Sequence, residues 1–314
     1  MKKNENKKCL PTSIGGQAVI EGIMMKGPNS LATAVRKASG EIVIDKKPSN
    51  SFIAKYKLNK IPILRGFLAF FESMIVGISC LMFSAKEYDL EDADYEMSKF
   101  EKWIMEKFGD KIFDFVMYIS VFISLFIGIG VFMVLPKLAV EFFGKINESL
   151  SVVIEGAIRI ILFVAYILLI SNMKDIKRVF QYHGAEHKTI FAYEYGDELT
   201  VENIKKHKRF HPRCGTSFLV IVMLVSIIVF FFIRTDSLVD KIMWRIALLP
   251  LIAGISYEII KLAGRYDNPI TRFLSAPGVW LQNVTTKEPD DKQIEVAIVA
   301  LKAVLEDTKE DAKW

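Results

Sequence analysis

Apolar positions in this 314-residue chain gather into long runs separated by charged stretches, a pattern unlike that of a soluble domain. Residues 112–135, 150–171, 217–233 and 242–262 each predict a transmembrane helix. The first has 24 residues, a rise of about 36 Å, enough to cross a bilayer with some tilt. Residues 61–85 are also apolar but carry Pro62, Arg65, Gly66 and Glu72, so they read as a re-entrant or interfacial segment, with a single crossing as the alternative. In 86–111 Phe100, Trp103, Ile104 and Phe108 recur at helical spacing among charges, predicting an amphipathic helix against the membrane or another domain.

The ends read differently. Residues 14–25 are apolar but broken by glycine and too short to span, and 31–47 suggest two strands around Ser39-Gly40. A small β element over 14–47 is expected, against the alternative of an irregular arm. Residues 270–281, with Pro277-Gly278, suit an interfacial segment that places Trp280 at headgroup depth. From about 289 to 307, Ile294, Ala297, Ile298, Leu301, Val304 and Leu305 share one helical face. The expected fold is a mainly α integral membrane protein with about four transmembrane helices, a small N-terminal β element and cytoplasmic amphipathic helices. Its segments are 1–60 (N-terminal arm), 61–111 (re-entrant or interfacial segment and amphipathic helix), 112–171 (two spans), 172–214 (histidine-rich loop), 215–263 (two spans) and 264–314 (interfacial segment and terminal helix).

Composition agrees, with 52% hydrophobic residues and a mean hydropathy of +0.29. The net charge of +5 is modest, and the basic residues sit beside the apolar runs. That distribution fits topology signals and contact with membrane lipids, and argues against nucleic acid. Loop 172–214 carries nine Lys or Arg, whereas loops 136–149 and 234–241 carry two each. The basic loop is therefore expected in the cytoplasm, with both termini on the same side of a multi-pass cell-membrane protein. The three cysteines, Cys9, Cys80 and Cys214, imply no disulfide framework. No cleaved signal peptide is expected, since no short apolar core with a small-residue cleavage site follows the basic start.

All four histidines lie in the basic loop: His183, His187, His207 and His211. His183-x-x-Glu186-His187 reads H-x-x-E-H, which on a helix offers two imidazoles on one face and a carboxylate beside them. A divalent ion of the zinc type suits such donors, and Glu186 is placed to act as general base. The third ligand is open among His211, Cys214, Glu194 and Glu258. Ordinary surface or core histidines are the competing reading, but the clustering with His211 and Cys214 favours metal. Within the spans, Glu155 and Arg159 are four apart and are expected to neutralise one another. Glu258 either completes the metal site or pairs with Lys261 or Arg265.

The runs GGQAVIEGIMMKGP (15–28), LRGFLAFFESM (64–74), YHGAEHKTIFAYE (182–194), HPRCGTSF (211–218), YEIIKLAGRYDNP (257–269) and TTKEPDDKQIEVAIVALKAVL (285–305) cover most of the chain. In them the chain resembles the YqhQ-like bacterial membrane proteins, a family of unknown function often described as metal-dependent enzymes. The resemblance implies His183, Glu186, His187, His211 and Cys214 as the metal-related positions. It supplies no reaction. Three functions are therefore expected to compete: a membrane-embedded metal-dependent hydrolase acting on a peptide or lipid-linked substrate; a non-enzymatic assembly factor with a structural metal; and a small transporter using Glu155, Arg159 and Glu258.

Overall fold

The computed structural model describes residues 12–307 apart from 50, 52, 54, 55, 57, 90–110, 143, 145, 146, 212, 234–236 and 267. The amphipathic helix expected over 86–111 thus falls largely outside the described residues.

The N-terminal β element forms as an antiparallel meander: β1 (Gly15–Val19), β2 (Gly22–Lys26), β3 (Ser30–Arg36) and β4 (Ile42–Pro48), in the spatial order 1-2-3-4. Strand alternation gives the sheet two apolar faces, and both are used. On one, Val19, Met24, Leu31 and Val35 pack against Cys80. On the other, Ile23, Met25, Ala32 and Ala34 join Tyr182, Ala185, Ile190, Ile294, Ala297 and Leu301. The β1–β2 turn holds Glu21 at φ 46°, a left-handed conformation that costs a non-glycine residue about 1 kcal/mol or more. An outward grip offsets it: the Glu21 carboxylate accepts both guanidinium arms of Arg178 and, at 3.2 Å, the Tyr182 hydroxyl. The turn thereby clamps the sheet to the histidine helix.

The helices are α1 (Leu64–Asp89), α2 (Lys111–Ile129), a π-helical turn (Gly130–Val134), α3 (Leu135–Phe142), α4 (Glu148–Ile170), α5 (Lys174–Glu194), α6 (Val201–Lys205), α7 (Gly215–Phe231), α8 (Leu238–Arg265), α9 (Pro269–Thr285) and α10 (Asp291–Leu305). Helices α5 and α10 cover one face of the sheet. Asp290 caps α10 in a reciprocal box with Gln293, which explains the sharp start after Pro289.

Among the described residues, four stretches are long and apolar enough to cross a membrane: Leu64–Tyr88, Tyr118–Phe142, Ser149–Ile170 and Met243–Ala263. These four qualify by length and composition, and α1 stands among them where the 217–233 run was expected. The 217–233 run forms the 17-residue α7, about 25 Å long and shorter than a bilayer core. The 61–85 run does not turn back, because α1 is one unbroken helix. The Pro62 and Arg65 that suggested a break lie at its entry. Its first turns sit against α8, where Gly66 faces the Gly254 backbone and Tyr257. Its second half supplies Val76, Cys80 and Phe83 to the sheet. The expected Glu155–Arg159 pair is also replaced. Glu155 accepts from Arg245 on α8, while Arg159 donates to the Phe132 carbonyl and to Ser226.

Candidate metal centre

Helix α5 buries one face against the sheet and α10, so Tyr182, Glu186 and His187 are drawn inward with Ala185 and Ile190. Four-residue spacing stacks His183 on His187, with ring centroids 4.4 Å apart. Cys214 arrives from another direction as the N-cap of α7, its sulfur 3.2 Å from the Thr216 hydroxyl. His183 Nε2 lies 3.0 Å from Cys214 Sγ. One ligand atom from each of His183, His187 and Cys214 falls within 4.8 Å of the others.

The back of each imidazole is anchored. His183 Nδ1 meets the Thr285 carbonyl at 2.8 Å, and His187 Nδ1 meets the Arg209 carbonyl at 2.5 Å. A carbonyl can only accept, so each Nδ1 carries a proton, and Nε2 is the ring nitrogen that a metal would use. Metal-binding histidines are usually oriented by such a partner behind the ring. Burial holds His187 below the ordinary imidazole value, against an opposing pull from Cys214. Burial alone would raise the Cys214 thiol, but His187 and the Thr216 hydroxyl and amide bring it below its usual range. A lowered His187 and a lowered Cys214 thiol both move toward the protonation states that a zinc-type ion needs.

Glu186 lies buried beside this trio. Burial raises its carboxyl to about 7, with the Cys214 charge adding and His183 and the Gly16 amide opposing. Gly16 of β1 covers it closely: a Cβ there would lie 2.6 Å from the Met24 carbonyl oxygen and 3.0 Å from Glu186 Cδ. A carboxyl in this range suits proton transfer near neutral pH.

The other predicted ligands are engaged elsewhere. His211 is adjacent, its ring centroid 5.5 Å from that of His187, but its Nδ1 accepts the Arg213 amide at 3.3 Å and its Nε2 faces Glu194 at 3.8 Å. Glu194 is wholly committed: it pairs with Arg213 and accepts from the Thr12 amide at 2.8 Å and hydroxyl at 3.1 Å. Burial would raise its pKa, but His211, Arg213 and the Thr12 amide outweigh this and hold it at about 2. Glu258 takes neither expected role, since its carboxylate accepts Arg65 Nε at 2.7 Å. His207 pairs with Asp197 at 2.9 Å. Nothing in the spacing separated these donors from the His183, His187 and Cys214 trio; the loop geometry does.

Sequence reasoning missed the anchors, because a backbone carbonyl leaves no residue signature. One trace was present. Gly184 sits in mid-helix, where glycine costs about 1 kcal/mol relative to alanine. A Cβ there would lie 2.0 Å from the Lys287 carbonyl oxygen, and the Lys287 amide donates to the Phe180 carbonyl at 2.8 Å. The 285–289 strap thus crosses α5 at Gly184 and delivers the Thr285 carbonyl to His183. Gly184→Ala, normally stabilising in a helix, is expected to destabilise by about 1–3 kcal/mol by forcing this strap away. A thermal melt checks the sign.

The fold and site together define a helical protein of membrane type with a compact His/His/Cys centre on a sheet-backed helix. The chain belongs to the family described as Protein of unknown function (DUF1385), whose model matches residues 61–307. It is 36% identical over 307 residues to the uncharacterized protein YqhQ of Bacillus subtilis (strain 168), covering 96% of this chain and 94% of that protein. No solved structure matches it.

Proposed function

We propose that the chain is a membrane-embedded metal-dependent hydrolase whose zinc-type ion is held by His183, His187 and Cys214 at the cytoplasmic membrane face. The observation that carries this reading is the paired anchoring of both Nδ1 atoms, which turns two Nε2 lone pairs toward one cysteine sulfur. Three protein ligands leave a position open, as catalytic zinc sites do, and a bound ion there would acidify water. Glu186 holds or accepts the proton, and its value of about 7 suits that exchange. The half-buried His183 marks the side from which substrate reaches the site. A peptide or lipid-linked substrate fits a centre whose cysteine caps an apolar helix. The nine basic residues of 172–214 support a cytoplasmic placement, and the sheet's packing on α5 supports the N-terminal arm lying on that same side.

A structural metal is the second reading, favoured by the closeness of Glu186, which would close the site as a fourth ligand. Glu186→Gln separates the two. As general base, its replacement leaves metal content and melting temperature near wild type while cellular complementation is lost. Loss of the metal together with the fold assigns Glu186 to a closed structural site instead.

A further inference from the structure

A second charged centre lies in the helical bundle, at the end away from Cys214. Lys137, Glu155, Arg159 and Arg245 are all buried there, on α3, α4 and α8. Glu155 and Arg245 each lie seven residues after their helices begin, about 10 Å in from the bundle end. Glu155 pairs with Arg245 and sits 3.7 Å from Lys137, which also reaches the half-exposed Glu141 at 3.0 Å.

Arg159 is the odd member. Among the described residues no carboxylate comes within ion-pairing distance of it. Its Nε donates to the Phe132 carbonyl at 2.8 Å and its Nη1 to the Ser226 hydroxyl at 3.2 Å. Phe132 belongs to the π-helical turn, whose wider winding departs from the i+4 amide pattern. The guanidinium carbons of Arg159 and Arg245 lie 6.0 and 5.4 Å from the centroid of one ring, Phe230. Among the described residues of the cluster, three cations against Glu155 and Glu141 leave one positive charge over. Uncompensated charge inside a bilayer is costly, and the planar fork of a buried arginine favours an anion that offers two acceptor oxygens, such as a carboxylate or phosphate.

We propose that this centre binds the phosphodiester of an anionic phospholipid, one negative charge matching the one in excess. The surroundings point to lipid as the source. Phe142, Leu150, Val239 and Met243, on the helices that carry the cluster, are exposed and apolar, a rim suited to acyl chains. Glu141 keeps that rim polar where the headgroup enters. The centre is separate from the histidine site and does not depend on the metal reading.

The test uses the full-length protein, delipidated in neutral detergent and titrated with phosphatidylglycerol, phosphatidylcholine or inorganic phosphate. Thermal shift and native mass spectrometry follow binding. Phosphatidylglycerol is expected to bind at least about fivefold more tightly than phosphatidylcholine, and Arg159→Gln to lose about that factor. Lys137→Gln, nearer the rim, loses a similar factor and serves where Arg159→Gln does not fold. Folded Glu155→Gln, with a larger positive excess, binds phosphatidylglycerol more tightly. Equal binding of the two lipids overturns the proposal, as does unchanged phosphatidylglycerol affinity in both cation variants. Equal or weaker binding by folded Glu155→Gln also overturns it. Full stabilisation by inorganic phosphate alone overturns the assignment to lipid.

Discussion

His187→Ala is expected to lower zinc affinity by roughly two hundredfold. Structural zinc binding carries an apparent ~10 kcal/mol or more, and shared among three protein ligands this is about 3 kcal/mol each. His187 is the more demanding of the two histidines to replace, because it is almost fully buried and its Nδ1 is held by the Arg209 carbonyl. Its loss also leaves that half-buried carbonyl without the His187 donor, so part of the effect should appear as a lower melting temperature. Cys214→Ser should weaken zinc comparably while disturbing the fold less, since serine also caps helices well. Competition titration against a chromophoric chelator measures both. Wild-type affinity in either variant would remove that residue from the ligand set.

Glu194→Gln is expected to cost the fold about 3–5 kcal/mol, the range seen when one partner of a buried ion pair is removed. The substitution strands the Arg213 guanidinium, which also donates to the Thr12 carbonyl at 3.2 Å, and loosens the start of the sheet from α5. The same carboxylate gives a pH signature. Its pKa of about 2 in the folded chain lies below the ~4.3 of a free glutamate. Its stabilisation is therefore fully present above about pH 4.3 and is lost as pH falls toward 2. Chemical denaturation at pH 5 and pH 3 should show wild type losing stability on acidification and Glu194→Gln losing less. Parallel losses would mean that the acid-sensitive group lies elsewhere.

Much of this architecture is legible in the sequence, and what is not has identifiable causes. The meander follows from glycine-punctuated apolar runs, and α10 from a six-residue apolar face with an acidic cap. The H-x-x-E-H residues lie on one helix because 3.6-residue winding requires it. Helix α1 was harder to read because its apolar residues serve two partners, Phe71 and Ile75 facing outward while Val76 and Cys80 meet the sheet. The partners of Glu258 and Glu155 are 193 and 90 residues away, so local spacing favoured nearer and wrong ones. His211 and Cys214 are three apart and chemically similar as donors. Only the capping of α7 by Cys214, and the grip of the Gln282 side chain on the His211 amide at 2.7 Å and carbonyl at 2.8 Å, decide which of them faces the histidine pair.

Whether His183, His187 and Cys214 hold one ion is tested most directly by X-ray absorption at the zinc edge on purified, zinc-supplied protein. The expected spectrum contains one ion per chain with a single sulfur at about 2.3 Å and imidazole nitrogens at about 2.0–2.1 Å, the sulfur vanishing in Cys214→Ser. Protein that takes up no zinc, or a shell of oxygen ligands without sulfur, would contradict the assignment.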